Sequence, residues 1–318
     1  MKREPAVSID RDGIRDDRVR LMLERMRAGW IVEGDGPEAE RLAFHTLGQR
    51  FPAPEGVTRQ PVDLRGVPAI ETSLPDDATA EGPTVLYLHG GAFVIGSAEI
   101  YGEQSARLSL ASGARVLTID YRLAPEHPFP AALDDTVCAY RSLLDAGIHA
   151  GRIVIAGDSA GGNLALAASK RLRDAGIPLP AGLVLISPWV DLSCASSSME
   201  YNADARHLAQ RQGLLRSAAT YLGDVDARHP EASPIHGDLS SLPPTLIQVG
   251  SLETLLDDSV TLEQELKAAG VQARLHVYEG MVHEWHLLSA LLEPDAMLDE
   301  AAEAIGEIAA FIREVSIR

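Results

Sequence analysis

The chain has 318 residues, 46% of them hydrophobic, which is enough to bury a large core as one big domain or as a domain with an appendage. Its formal net charge of −18 repels phosphate backbones and anionic lipid, so nucleic acid and membrane surfaces are excluded as expected partners. The charged N-terminus has no apolar segment behind it and no apolar run approaches the roughly 20 residues that span a bilayer, which predicts a cytoplasmic protein.

Two stretches read as helices without strands beside them. The first covers residues 1–50, where RVRLMLERMRAGW and GPEAERLAFHTLGQR have helical spacing, and the second is an insertion at about residues 201–226. Segments that interrupt a sheet on one side commonly cover its working edge, so these two are predicted to form a helical cap. They are called the cap segments below. Structural padding is the alternative interpretation.

From about Pro61 onward, short β-branched runs alternate with longer amphipathic ones, which is the pattern of an α/β fold with a largely parallel sheet. The strand candidates are VDLRGVPAIETSL, TVLYLHG, RVLTIDY, RIVIAGDS, GLVLISPW, TLIQVG and ARLHVYEG. The helical stretches between and after them are GEQSARLSLASG, AALDDTVCAYRSLLDAG, AGGNLALAASKRLRDAG, DDSVTLEQELKAAG and MLDEAAEAIGEIAAFIREV. Gly147, Gly176 and Gly270 follow three of these helices, where a left-handed cap is expected.

The strongest chemical signal is RIVIAGDSAGGNLALAASK, in which an apolar strand runs into GDSAG and a helix follows at once. In this context GxSxG places a serine on a strained turn, and small neighbours let the strand and helix approach closely. The free N–H groups of the helix N-terminus also lie beside any oxyanion that forms. We therefore predict that Ser159 is a nucleophile. The alternative, a phosphate cradle, lacks the lysine and spacing of a P-loop.

A second glycine-rich turn follows the strand candidate TVLYLHG. His89, Gly90, Gly91, Ala92 and Phe93 stand in the position where backbone N–H groups form the other half of an oxyanion hole. Glycine suits this position because the backbone must approach the substrate carbonyl closely. A simple tight turn is the alternative, but the position some 70 residues before GDSAG favours the functional interpretation.

The general base is expected to be a histidine late in the chain. YEGMVHEWHLLSA offers His283 and His286 just after the last strand candidate. Because catalytic groups collect outside the carboxyl ends of strands, we prefer His283, while His286 is expected in the following helix. The spacing HEWH is not HExxH, so two zinc ligands on one helix face, as in a metalloprotease, are not predicted.

Several motifs together resemble the hormone-sensitive-lipase-like bacterial esterases, also called lipolytic family IV. They are HGGAF, YRLAPEHPFPAALDD, GDSAGGNLA, SPWVDLS, SPIHGDLSSLPPTLIQVG and GMVHEWH. The resemblance covers about Pro83 to the C-terminus and is weaker in the first cap segment. It implies an α/β-hydrolase catalytic domain over residues 51–318, with eight mostly parallel strands, helices on both sides and a helical cap. It also implies hydrolysis of short-chain carboxylic esters.

The resemblance further implies backbone donors for an oxyanion. They are Gly91, with Gly90 or Ala92 beside it, and the N–H group of Ala160. The third glycine usual in the first motif is Ala92 here. A backbone donor survives that change, so we expect little effect from it.

The catalytic acid must be chosen among three residues in GSLETLLDDS. The family pattern after the TLIQVG-type strand is Asp-Pro-Leu-x-Asp, which puts Glu253 where the catalytic aspartate usually stands. Glu253 also lies three residues beyond Gly250, on the loop at the carboxyl edge of the sheet. Asp257 and Asp258 begin a helical pattern, where free N–H groups and the helix dipole are expected to stabilise them. We predict Glu253 as the acid, with Asp257 as the rival.

The sequence therefore predicts a serine carboxylesterase that acts on a small-molecule ester through Ser159, Glu253 and His283, without a metal or cofactor. A lactone or amide hydrolase is an alternative, because the same triad serves every acyl transfer. A ligand-binding protein on this fold, similar to plant gibberellin receptors, is a second alternative, but those receptors lack the base. The edge strand at ARLHVYEG could allow homodimers in which two sheets join.

Overall fold

Short apolar runs of the sequence form one eight-stranded sheet with the order β1-β2-β4-β3-β5-β6-β7-β8. The computed structural model describes residues 16–30, 32, 34–52, 55–75, 82–203, 208–292 and 297–316. The strands are β1 (Thr58–Asp63), β2 (Pro68–Ser73), β3 (Thr84–Leu88), β4 (Arg115–Ile119), β5 (Ile153–Asp158), β6 (Gly182–Ile186), β7 (Thr245–Gly250) and β8 (Ala273–Tyr278).

The directions of the strands place their carboxyl ends together. Neighbouring strands from β4 through β3 and on to β8 run parallel, whereas β1 and β2 run antiparallel to their neighbours. The strands β3, β5, β6 and β7 are buried over their whole length, as expected for parallel strands covered on both faces. The predicted eight-stranded, mostly parallel sheet is confirmed.

One strand candidate, VDLRGVPAIETSL, proves to be a hairpin. It contains the end of β1 and all of β2, which pair with each other around a tight turn. Arg65 and Gly66 take left-handed backbone angles there, with φ of 59° and 88°, and the N–H of Gly66 donates to Asp63 Oδ1 at 2.8 Å. Apolar Leu64 and Val67 stand on either side of these two residues, so the hydrophobic pattern alone does not show that the chain reverses direction between them.

Helices cover both faces of the sheet. They are α1 (Asp17–Gly29), α2 (Pro37–Gly48), α3 (Gly102–Ser112), α4 (Ala131–Asp145), α5 (Ala160–Asp174), α6 (Ser198–Tyr201), α7 (Arg211–Leu222), α8 (Leu256–Ala268), α9 (Trp285–Leu288) and α10 (Asp299–Val315). The glycines predicted to end three of the helices, Gly147, Gly176 and Gly270, have φ of 86°, 67° and 79°. These left-handed caps are confirmed.

The strands send alternate side chains to two apolar clusters, one on each face of the sheet. In β3, Leu86 and Leu88 belong to the cluster that contains residues of α4, α5 and α8. Val85 and Tyr87 belong to the cluster that contains residues of α1, α2, α3, α9 and α10. The sheet is therefore the middle one of three layers.

Both cap segments contain helices where the periodicity predicts them. The first holds α1 and α2, and the second holds α7; residues 1–15 and 204–207 lie outside the described residues. Arg25 of α1 donates to the carbonyl of Leu291 at 2.6 Å, and Arg41 of α2 donates to the carbonyl of Val94 at 2.7 Å. The first cap segment is thus bound to the loop after β3 and to the region that follows β8.

None of the helices in the described ranges has both the length and the apolar content needed to cross a bilayer.

Candidate active site

Ser159 lies at a sharp turn between β5 and α5. Its φ of 51° and ψ of −115° are rare for a non-glycine residue, which agrees with a strained nucleophile turn. Its backbone N–H donates to the carbonyl of Ile186 at 2.9 Å, so the turn is tied to the end of β6. The structure therefore places Ser159 in the strand, turn and helix context that the sequence predicts.

The turn around Ser159 can form only with very small neighbours. A Cβ atom added at Gly161 would collide with the carbonyl oxygen of Leu88. A Cβ atom added at Gly157 would collide with the backbone of Gly161. Side chains at these positions would push β3, β5 and α5 apart, which is the physical reason for glycine on both sides of GDSAG.

The turn after β3 brings two of its three predicted oxyanion donors to the site. The backbone N–H of Gly90 donates to the hydroxyl of Tyr101 at 3.0 Å, so this donor is already engaged. Gly91 and Ala92 have φ of 112° and 52°, and both line the same cavity as Ser159. Ala160, the fourth predicted donor, is the first residue of α5.

Glu253 and His283 meet at the carboxyl edge of the sheet. Glu253 follows β7, His283 follows β8, and His283 Nδ1 lies 2.7 Å from Glu253 Oε2. The other carboxylate oxygen, Oε1, accepts hydrogen bonds from the hydroxyl of Ser187 and the N–H of Gly250, both at 2.6 Å. Because the carboxylate accepts hydrogen bonds, it holds His283 in the tautomer that carries a proton on Nδ1.

The rival acids lie in the first turn of α8, as predicted, but they do not cap that helix. Asp257 accepts hydrogen bonds from the N–H of Ser198 at 2.9 Å and from the hydroxyl of Tyr201 at 2.6 Å, so it anchors α6. Burial raises the pKa of Asp258 to about 7, and its Oδ2 atom has no hydrogen-bond partner among the described residues. The expectation that free N–H groups of α8 bind these carboxylates is wrong for Asp257, which binds Ser198 and Tyr201 instead.

The rival base, His286, lies in the helix α9, as the sequence predicts. Burial lowers its pKa well below the usual value, and the nearby charge of Arg107 lowers it further. Its Nε2 atom lies 3.9 Å from Glu284 Oε2, and neither ring nitrogen has a hydrogen-bond partner in the part of the chain that the structure describes. The carboxylate of Glu253 contacts His283, not His286.

A cavity of about 400 Å³ joins these residues to the cap segments. From the main domain it is lined by Gly91, Ala92, Ser159 and His283. From the cap segments it is lined mainly by apolar side chains: Trp30, Pro37, Phe44 and Leu47 of the first, and Leu208, Ala209 and Leu214 of the second. Both cap segments therefore border the space into which Ser159 faces.

Ser187 is a site residue that the sequence interpretation missed. It directly follows the strand β6, has φ of 46° and donates its hydroxyl hydrogen to Glu253. The available signal was its place at the carboxyl end of a parallel strand, where functional side chains collect. Its partner is 66 residues away in sequence, so the pairing itself could not be read from the motif.

A group of buried side chains that includes two acids lies beside Ser159 and His283. Asp158, Glu284 and His286 offer three possible ligand atoms within 4.8 Å of one another, and they are the one such group among the described residues. Asp158 already accepts a hydroxyl hydrogen on each oxygen, from Tyr87 and from Tyr101, at 2.8 Å each. The donor set therefore fits a network of shared protons better than a metal ion, and the sequence prediction named no metal ligand here.

Comparison with known proteins places these features in a family. Residues 85–287 match the family described as the alpha/beta hydrolase fold. An acetyl-hydrolase of Streptomyces hygroscopicus is 42% identical over 293 residues, which are 92% of this chain and 95% of that protein. An esterase of Acinetobacter venetianus is 36% identical over 282 residues, which are 88% of this chain and 90% of that protein.

Solved structures agree with the sequence relatives. An esterase from the bacterial hormone-sensitive lipase family has a TM-score of 0.87 and 38% identity, covering 95% of this chain and 99% of that one. The protein EstE5, in crystals soaked with p-nitrophenyl butyrate, has a TM-score of 0.85 and 38% identity, covering 94% of this chain and 98% of that one. The predicted α/β-hydrolase fold is confirmed.

Proposed function

Because the chain belongs to the bacterial hormone-sensitive-lipase-like esterases and is a carboxylic ester hydrolase, we propose that it cleaves small short-acyl esters through an acyl-enzyme on Ser159. One observation carries the proposal. Ser159 and His283 line the same cavity, and His283 Nδ1 lies 2.7 Å from Glu253, which leaves Nε2 free to act as the base.

Acylation is the first half of the proposed reaction. His283 Nε2 takes the hydroxyl proton of Ser159 while the serine oxygen attacks the ester carbonyl carbon. The imidazolium that forms is stabilised by Glu253, which does not itself take the proton. His283 then gives the proton to the leaving alkoxide as the carbonyl re-forms, so an alcohol departs and the acyl group remains on Ser159.

The negative charge on the carbonyl oxygen needs donors that are already in place. Gly91 and Ala92 line the cavity together with Ser159, so their N–H groups are the proposed donors, and Ala160 adds the N–H of the residue that follows the nucleophile. Gly90 is not assigned this role, because its N–H is engaged by Tyr101.

Deacylation repeats the same steps with water. His283 removes a proton from a water molecule, the resulting hydroxide attacks the acyl-enzyme, and the serine leaves with the proton held by His283. The products are a carboxylic acid and the free enzyme. The proton of Ser159 leaves with the alcohol and a proton from water restores the serine, so the cycle balances with His283 as the carrier in both halves.

The cap segments support a preference for short acyl groups. The cavity of about 400 Å³ is near the small end of ligand sites, which run from roughly 300 to 1,000 Å³. Phe44, Leu47, Leu208 and Leu214 border it from the cap segments. A small ester fits such a space, whereas a long acyl chain would have to displace these side chains.

The proposal is tested with Ser159→Ala and p-nitrophenyl esters. We expect kcat for the acetate and butyrate to fall by at least about 10⁴-fold, because the nucleophile is lost while the fold is kept. Ser217→Ala, the same change at another serine that lines the cavity, should retain activity. The palmitate ester should be a much poorer substrate than the butyrate for the unchanged protein.

Residual turnover in Ser159→Ala close to that of the unchanged protein would overturn the proposed nucleophile. Equal kcat/KM for butyrate and palmitate would overturn the short-acyl preference alone.

A further inference from the structure

A buried group of acids and tyrosines lies behind the proposed triad, and the mechanism above does not use it. It consists of Asp158, Glu284, Tyr87 and Tyr101 and is called the acid cluster below. Asp158 directly precedes the proposed nucleophile and is 0% exposed, while Glu284 directly follows the proposed base and is 7% exposed. The acid cluster therefore contains the chain neighbour of the proposed nucleophile and the chain neighbour of the proposed base.

The side chain of Glu284 lies between the base and Asp158. Its Oε1 atom is 3.5 Å from His283 Nε2, the nitrogen proposed to receive the serine proton. A Cβ added at Gly90 would collide with Asp158 Oδ2 and would lie 2.9 Å from Glu284 Oε1, so both carboxyl groups approach the same glycine. The backbone of Glu284 has a left-handed φ of 63°, which is uncommon for a non-glycine residue, and its side chain is buried.

The two carboxyl groups of the acid cluster differ in their hydrogen-bond roles. Asp158 acts as an acceptor, because the hydroxyls of Tyr87 and Tyr101 each donate to it at 2.8 Å. Burial raises the pKa of Glu284 well above its usual value, and the charge of Asp158 with a hydrogen bond to it raises that pKa further. Glu284 is therefore the member of the pair that carries a proton and donates.

The protonation of Glu284 matters because of its distance from the base. A carboxylate beside Nε2 would stabilise the imidazolium in the resting enzyme, because the N–H of a protonated Nε2 could donate to it. Less of the neutral imidazole would then be present to take the serine proton. A neutral carboxylic acid at the same place, with its proton donated to Asp158, fills the space without this effect.

The acid cluster also reaches the oxyanion turn. The hydroxyl of Tyr101 that donates to Asp158 accepts the N–H of Gly90, which belongs to the turn that carries Gly91 and Ala92. The titratable or charged groups that face the cluster are Tyr87, His89, Tyr101, Arg107, Tyr121, Glu253, His283 and His286. A change at Glu284 is therefore transmitted to the nucleophile, the base and the donor turn together.

We propose that Glu284 is a positioning residue for the base: it donates a hydrogen bond to Asp158 and so holds the His283 ring beside Ser159 without placing a second negative charge there. The inference rests on the serine-esterase mechanism proposed above. It assigns a role to a residue that neither GxSxG nor the triad requires.

Two substitutions at Glu284 test whether the side chain acts as a hydrogen-bond donor or as a negative charge. Glu284→Gln keeps a neutral donor of similar shape, so kcat/KM should stay within about threefold of the parent and the acidic limb of its pH profile should not move. Glu284→Leu removes the donor, so kcat should fall about tenfold to a hundredfold while KM changes little. Glu279→Gln, which removes an exposed carboxyl from the same loop, should alter neither quantity.

The pH profile and the fold of each variant decide the outcome. If the acidic limb of Glu284→Gln moves down by about one pH unit, the residue is ionised in the parent and the proposal is overturned. Parental kcat in a folded Glu284→Leu, checked by thermal unfolding, overturns it as well. If the leucine variant does not fold, infrared spectroscopy decides: a protonated-carboxyl carbonyl band present in the parent at neutral pH must be missing in Glu284→Gln.

Ser159→Ala distinguishes this inference from the proposed function. Activity that survives in Ser159→Ala contradicts the serine mechanism itself. Activity that depends on Ser159 but not on the donor at Glu284 contradicts the positioning role alone.

Discussion

Two buried glutamates flank the ring of His283, and their surroundings differ. Glu253, on the Nδ1 side, receives hydrogen bonds from Ser187, Gly250 and His283. Glu284, on the Nε2 side, faces a second carboxyl group, that of Asp158. Both glutamates are almost completely buried, so depth does not distinguish them. The donors around one and the acid beside the other determine which glutamate accepts a hydrogen bond and which donates.

The difference shows how one residue type fills two roles beside one ring. Environments that push the protonation of two carboxyl groups apart are a recurring way to obtain an acid and a base from the same side chain. Here the separation serves a single histidine. We infer that one glutamate orients and stabilises the ring and that the other holds it in place while remaining neutral.

The strongest test of the difference between the two glutamates is to make the same substitution on both sides of the ring. In Glu253→Gln the new amide can donate to Nδ1, which favours the wrong tautomer and puts a proton on Nε2. We expect kcat for p-nitrophenyl butyrate to fall by about 10³- to 10⁴-fold with little change in KM. Glu284→Gln is the matched control and should stay near the parent.

A loss of less than about tenfold in Glu253→Gln would contradict its assignment as the acid of the triad. Equal losses in both glutamine variants would contradict the contrast between the two sides.

A second substitution removes one of the hydrogen-bond donors to Glu253 and keeps the carboxylate itself. Ser187→Ala deletes one of the three hydrogen bonds, so kcat should fall about tenfold and the free energy of unfolding by about 1–3 kcal/mol. Ser193→Ala deletes a comparable hydrogen bond, from a serine hydroxyl to the carboxylate of Asp191, away from the triad. That control should lower stability and leave kcat unchanged; unchanged kcat in Ser187→Ala would remove Ser187 from the site.

The smallest effect on activity is expected at the rival acid. Asp257→Asn weakens the bonds to Ser198 and Tyr201, so the free energy of unfolding should fall by about 1–2 kcal/mol while kcat stays within about twofold. Chemical denaturation and the butyrate assay measure the two quantities. Asp224→Asn, at an exposed acid, should change neither. A loss of activity as large as that in Glu253→Gln would make Asp257 the acid instead.

The features that could be predicted from the sequence are those that depend on residues close together in the chain. The strand, turn and helix around Ser159 follow from an apolar run, small residues and a helical pattern that are adjacent in the chain. Likewise, the left-handed caps at Gly147 and Gly270 follow from local chemistry. Glu253 was separated from Asp257 by its distance from the strand end and by the resemblance to a family.

The remaining features depend on contacts between distant residues or on side-chain direction. Ser187 follows β6 and donates to Glu253, which follows the neighbouring strand β7. Asp158 lies near Glu284 only because β5 ends at the edge of the sheet where the loop after β8 begins. The first-turn position of Asp257 was correct, but its partners belong to another loop, which no helical pattern reveals. The hairpin of β1 and β2 was missed because apolar residues flank its short turn, although Gly66 in that turn was a signal for the left-handed backbone that the reversal needs.

The order of strands in the sheet has a consequence for the biosynthesis of the protein. The strands β5, β6, β7 and β8 lie side by side in the order in which a ribosome makes them. A nascent chain therefore completes the turn of Ser159 first, the loop of Glu253 later and the loop of His283 last. Until translation has passed β8, the emerging polypeptide holds the proposed nucleophile without the proposed base, so by the proposed mechanism hydrolytic activity can arise only after the loop of His283 has been made.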